Sequence, residues 1–159
     1  MTKKILFMAA CCMLLTSLMT SCGGSNPESV VEELMDCLKN KDYEAAFQLV
    51  SDEEKIEQMK AKVGPQEVEK MINQAKADIG KPFKAGIKSY EITSREVDEK
   101  EEIGLFYVHI ILDNDDELKQ AISVVKNNKG RWIPGFLGSN YEHTFTLDEI
   151  KEFVKNTQN

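Results

Sequence analysis

The chain predicts an α+β domain, and three observations carry that prediction. Apolar residues recur at helical spacing from Val30 to Ile79, then at alternate positions from Ile87 onward. Helix-starting signals crowd the first part and return at Thr146, whereas turn-forming residues punctuate the second. Helices first and consecutive strands afterwards call for helices packed on one face of an antiparallel meander. A parallel sheet would need the two to alternate.

The elements follow in order. The first helix is expected from Pro27 to Leu38: proline suits its first turn, and Ser25 and Glu28 stand at capping-box spacing. Val30, Val31, Leu34, Met35 and Leu38 line one face. Asn40-Lys41 breaks it, and Asp42 caps a short second helix with Tyr43, Ala46, Phe47 and Val50 turned inward. Ser51 and Glu54 offer another capping box, ahead of Ile56, Met59 and Val63 at helical spacing. Gly64-Pro65 interrupts. Val68, Met71, Ile72, Ala75 and Ile79 mark a further helix that stops at Gly80 and Pro82.

The period then shortens to two. Ile87–Val97 reads as a strand and Asp98–Glu101 as a charged turn; Ile103–Leu112 is the strongest strand in the chain. Leu118–Lys126 is a third, and Asn127-Asn128-Lys129-Gly130 turns into a fourth at Arg131–Pro134. Thr146 and Glu149 form a last capping box, opening a terminal helix with Leu147, Ile150, Phe153 and Val154 on one side. Phe106, Val108, Ile110 and Leu112 form the fully apolar set of the strong strand and are expected to meet the helices. Tyr107, His109 and Ile111 point the other way, onto a mixed face that leaves room for a partner subunit, so these three are the candidate interface of a homodimer. No internal repeat or low-complexity tract stands out.

The first residues bear on location. Lys3 and Lys4 precede an apolar run from Ile5 to Met19 and then small and polar residues, the layout of a secretory signal. The run is shorter than the roughly 20 residues a membrane-spanning helix needs. Its end, Met19-Thr20-Ser21-Cys22, resembles the lipobox of bacterial lipoproteins, with Met19 where that family usually has leucine. Met8-Ala9-Ala10-Cys11 would leave only Ile5–Phe7 as apolar core, too short for export. The resemblance implies cleavage after Ser21, acylation of Cys22 and a cell-envelope address. The domain is then anchored by lipid to the outer membrane, with the periplasmic face favoured over surface display. Residues 1–21 are thus read as the signal, 22–26 as lipidated cysteine and tether, and 27–159 as a single domain. Gly23 to Asn26 reach about 14 Å at ~3.5 Å per residue, which keeps the domain against its membrane.

Cysteine arithmetic follows. Cys11 and Cys12 leave with the signal and Cys22 is acylated, so Cys37 is left without an intrachain disulfide partner. Set among apolar residues of a helix, it reads as a small core side chain rather than a nucleophile. The chain carries 20 Lys+Arg against 27 Asp+Glu, a net charge of −7, and loss of Lys3 and Lys4 makes the mature part more acidic still. Such a surface is a poor partner for nucleic acid, where neutralising phosphate supplies the affinity. Membrane attachment then falls to the lipid.

"VVEELMDCLKNKDYEAAFQLVSDEE" at Val30–Glu54 and "NNKGRWIP" at Asn127–Pro134 resemble the nuclear-transport-factor-two-like, cystatin-like cone fold, most closely its small bacterial lipoproteins of unknown function. The resemblance covers about two-thirds of the chain and implies a curved sheet closing over helices. A terminal helix after Thr146 departs from its commonest pattern and is expected to cap the open end or pack outside. The cone fold hosts isomerases and dehydratases that use a deep Asp, a His or a Tyr inside the cavity, and also domains with no catalysis, so fold does not decide activity.

The residues supply no catalytic constellation. Glu32, Glu33 and Asp36 fall off the apolar stripe of the first helix, and Asp113 ends its strand at a turn. His109 is out of phase with the apolar set, and His143 stands in a loop with no second ligand at metal spacing. Asp113–Leu118 opens like a calcium loop but has Leu118 where glycine is needed and Val124 where glutamate is. Tyr43, Phe47, Tyr90 and Trp132 are the candidate pocket lining, although aromatics at these periods are also how a core is built. The expectation is a non-enzymatic, membrane-tethered envelope lipoprotein binding a small ligand or an envelope protein, without cofactor or metal. The alternative is an acid–base enzyme working in the cone cavity.

Overall fold

The computed structural model describes residues 26–139 and 145–157. The signal-like segment, Cys22, most of the tether and His143 lie outside them. Helices α1 (Pro27–Lys39), α2 (Tyr43–Val50), α3 (Glu53–Val63) and α4 (Pro65–Ile79) come first, then a 3₁₀ turn at Lys81–Phe83. Strands β1 (Ile87–Asp98), β2 (Ile103–Leu112), β3 (Glu117–Lys126) and β4 (Trp132–Ser139) follow, and α5 (Leu147–Thr157) ends the chain. The strands pair antiparallel in the order β1-β2-β3-β4. The α+β class and the meander are therefore as expected.

Local chemistry sets the helix ends. Asn26, not Ser25, caps α1, its side chain accepting from Ser29 N at 2.8 Å. Asp52, not Ser51, caps α3, accepting from Glu54 N at 3.1 Å. In both cases the polar residue nearest the first turn wins. Asp42 caps α2 as expected, at 3.0 Å from Ala45 N. At α5 the Thr146–Glu149 box closes: Thr146 N donates to Glu149 Oε2 at 2.8 Å and Glu149 N to Thr146 Oγ1 at 3.3 Å. Gly64 joins α3 to α4 at φ +92°, a left-handed conformation that favours glycine.

β2 behaves as its alternation predicts. Phe106, Val108, Ile110 and Leu112 join Val30, Val31, Leu34, Met35 and Leu38 of α1 in the main core. Phe106, Ile110 and Leu34 are fully buried there. Register shifts at Ile87/Ser89 and Ile92/Ser94 of β1, and at Ala121/Ile122 of β3, interrupt the ladder. Such bulges bend a sheet and increase its local twist. β4 runs beyond the expected Pro134 to Ser139. It is an edge strand, where a proline's missing N–H costs no interior ladder bond.

The other face of the sheet carries a second core. Ile103 and Leu105 of β2 pack with Ile150 of α5, joined by Tyr107, Val125, Leu137, Leu147 and Val154. The terminal helix thus lies against the outside of the sheet. Lys151 fastens it at 2.8 Å from Asp98.

Candidate functional site

α3 and α4 are the least buried helices of the fold. α3 has no buried residue and α4 only Val68, although both carry an apolar stripe. That stripe faces a groove of about 900 Å³. One wall is α3–α4, with Met59, Met71 and Ile72; the other is α5, with Phe153 and Val154; the floor includes Val125 and Leu137 from the outer face of β3–β4. Met59, Met71 and Phe153 remain 36%, 50% and 63% exposed, so the apolar surface is open to a ligand. The volume lies within the range of small-molecule sites, about 300–1,000 Å³.

Polar lining gathers where two segments meet. Ser51, Asp52, Lys55 and Gln58 come from the start and first turns of α3, and Lys126, Asn127 and Asn128 from the β3–β4 turn. Arg131 joins these segments. Its Nη1 donates to Gln48 O at 3.1 Å and its Nη2 to Ser51 O, gripping carbonyls at the end of α2. Lys126 Nζ donates to Glu102 Oε1 at 3.0 Å and stands 5.6 Å from the Trp132 ring centroid. The α4 wall is tied to α2 by Lys76, which pairs with Glu44 at 2.6 Å and lies 5.4 Å from the Phe47 ring centroid.

The four aromatics that were candidates for either pocket lining or core separate. Only Phe47 borders the groove. Trp132 is buried in the main core, with Tyr43 and Tyr90 packed against it. Tyr90 donates from its hydroxyl to Asp36 Oδ1 at 2.8 Å. Burial first, and then that bond and the charge of Asp36, push its phenol pKa well up. The space between α1 and the sheet, where the alternative acid–base enzyme would need its cone cavity, is occupied by Phe106, Ile110, Leu34 and their neighbours.

The candidate interface residues share the outer face but not their surroundings. Tyr107 is covered by the chain's own C-terminal segment, its hydroxyl donating to Phe145 O at 2.8 Å. His109 Nε2 lies 3.0 Å from Glu117 Oε2, and it and Ile111 stay half-buried outside the cluster under α5.

A smaller depression of about 370 Å³ lies on α1, lined by Glu32, Glu33, Asp36, Cys37 and Asp42 among others. Burial, followed by the negative charges of Asp42, Glu33 and Asp36, pushes the Cys37 thiol pKa up. The thiolate is disfavoured, so a nucleophilic role has no support. Burial also raises Glu33, which is not among the groove's lining residues. Among the described residues, no group of three His, Cys, Asp or Glu is placed to hold a metal ion, and no helix is long and apolar enough to cross a membrane.

Sequence reasoning missed Met59, Met71, Phe153 and Lys55 as groove residues. The available signal was an apolar stripe on α3–α4 in helices otherwise rich in charge.

No protein-family model and no curated protein matches the chain. Solved structures similar to it include a Campylobacter jejuni protein provisionally named an NTF2-like transpeptidase. That protein is 20% identical, with 69% of this chain and 96% of that one covered, at a TM-score of 0.47. A protein of unknown function with a cystatin-like fold, from Methylobium petroleophilum PM1, is 12% identical, with 76% of this chain and 81% of that one covered, at 0.41. At these values neither likeness carries an argument about activity.

Proposed function

We propose that this chain is a lipid-anchored, non-enzymatic envelope protein that binds a small, largely apolar molecule in the groove between α3–α4, α5 and the outer face of β3–β4. The observation that carries binding is the groove itself: about 900 Å³, with apolar walls and polar lining where two chain segments meet. The support for anchoring is the sequence at Met19–Cys22.

Thermal-shift screening of the full chain against lipids and metabolites tests the binding. A ligand at 100 times its Kd stabilises by about 2.7 kcal/mol, roughly 8 °C at ~3 °C per kcal/mol. Met71→Asp places a charge on a wall residue that is 50% exposed, so it abolishes the shift while leaving the unliganded melt unchanged. A panel with no hit, or a hit that Met71→Asp retains, refutes the reading. Anchoring is tested separately: Cys22→Ala is expected to leave the membrane fraction and to lose fatty-acid label.

A further inference from the structure

Resting on that reading, we infer that the groove takes a single-chain amphiphile with one anionic head, seated with the head at Lys55 and the chain running between Met71 and Phe153. Two observations specify this ligand class.

The lining is segregated. The charged and amide side chains come from Asp52, Lys55 and Gln58 of one segment and Lys126, Asn127 and Asn128 of the other, and Arg131 draws the two segments together. Val125, Leu137, Met71 and Phe153 supply apolar surface. Ser123, also on the lining, donates its hydroxyl to Gly135 O at 3.3 Å and is satisfied within the sheet. A ligand polar at one end and apolar along its length matches this division. One that is polar throughout would leave its hydrogen-bonding groups unpaired.

The polar end is also largely committed to internal partners. Lys126 is paired with Glu102 at 3.0 Å, and the Asp52 carboxylate accepts from Glu54 N as a helix cap. Asn127 Oδ1 accepts from Lys129 N at 3.0 Å and Arg131 N at 2.9 Å. Lys55 and Asn128 line the same end, with Gln58 one turn further along α3, and none of the three has a hydrogen-bond or ion-pair partner shown among the described residues. What remains for a ligand is an ammonium group and two carboxamides, which together suit one small anionic head. A carboxylate and a phosphate monoester both meet that description.

The full chain, produced in its envelope and exchanged into amphipol, is titrated with radiolabelled palmitate, hexadecyl phosphate and hexadecanol. An anionic probe is expected to bind more tightly than hexadecanol. Lys55→Gln is expected to weaken it about fivefold, the scale of a partly solvated ion pair, and to leave hexadecanol unchanged. Preference for palmitate assigns a carboxylate head, and preference for hexadecyl phosphate a phosphate head. If all three bind equally and Lys55→Gln changes none, the head-group inference is overturned while the groove reading stands. If no probe binds, or binding survives Met71→Asp, the groove reading fails with it.

Discussion

Arg131→Met tests how the groove's polar end is held together. The guanidinium donates to Gln48 O at 3.1 Å and to Ser51 O, 80 residues away in sequence. Gln48 O keeps a second donor in the Ser51 hydroxyl at 3.1 Å, so Ser51 O loses most when the arginine is removed. A hydrogen bond to a charged group is worth about 1.5–3 kcal/mol. Arg131 is only half-buried, so water replaces part of what is lost, and the two bonds together come to about 2 kcal/mol. In urea, at a slope of roughly 2 kcal/mol/M, the midpoint falls by about 1 M with the slope unchanged. Arg131→Lys keeps the charge but not the fork and is expected to recover at most half. A midpoint within about 0.2 M of the parent for Arg131→Met, on the same slope, would show that the grip is incidental and the reasoning wrong.

Other expectations follow from single contacts. A Cβ added at Gly80 would lie 2.6 Å from Tyr43 Cε1. Gly80→Ala must therefore displace the ring and is expected to cost about 1–3 kcal/mol by thermal melt, a penalty that disappears in a Tyr43→Ala background. The hydrogen bond from Lys151, and then the N–H groups of Glu101 and Lys100, hold Asp98 at about 2, below its ordinary 3.8. Folding favours the charged form, so this contribution is present above about pH 4 and is lost as pH falls toward 2. Asp98→Asn should flatten the melting temperature over that window, and an acid slope as steep as the parent's would contradict the assignment.

The sequence by itself determined what local chemistry controls. The Thr146–Glu149 box and the Asp42 cap involve residues three apart, and the phase of Phe106 to Leu112 follows from the period of a strand. Even so, Asn26 and Asp52 displaced the expected caps, because neighbouring polar residues compete for the same free N–H groups. Only the tertiary structure decided where the apolar faces went. An amphipathic stripe demands cover but does not name the element that supplies it. Leu147, Ile150 and Val154 found the outer face of the sheet, while Met59 and Met71 found a groove. Trp132 and Phe47, equally apolar in sequence, parted because one lies in the main core and the other on the groove's border. A site built from α3–α4, the β3–β4 face and α5 exists only when distant segments meet, and no local period encodes that meeting.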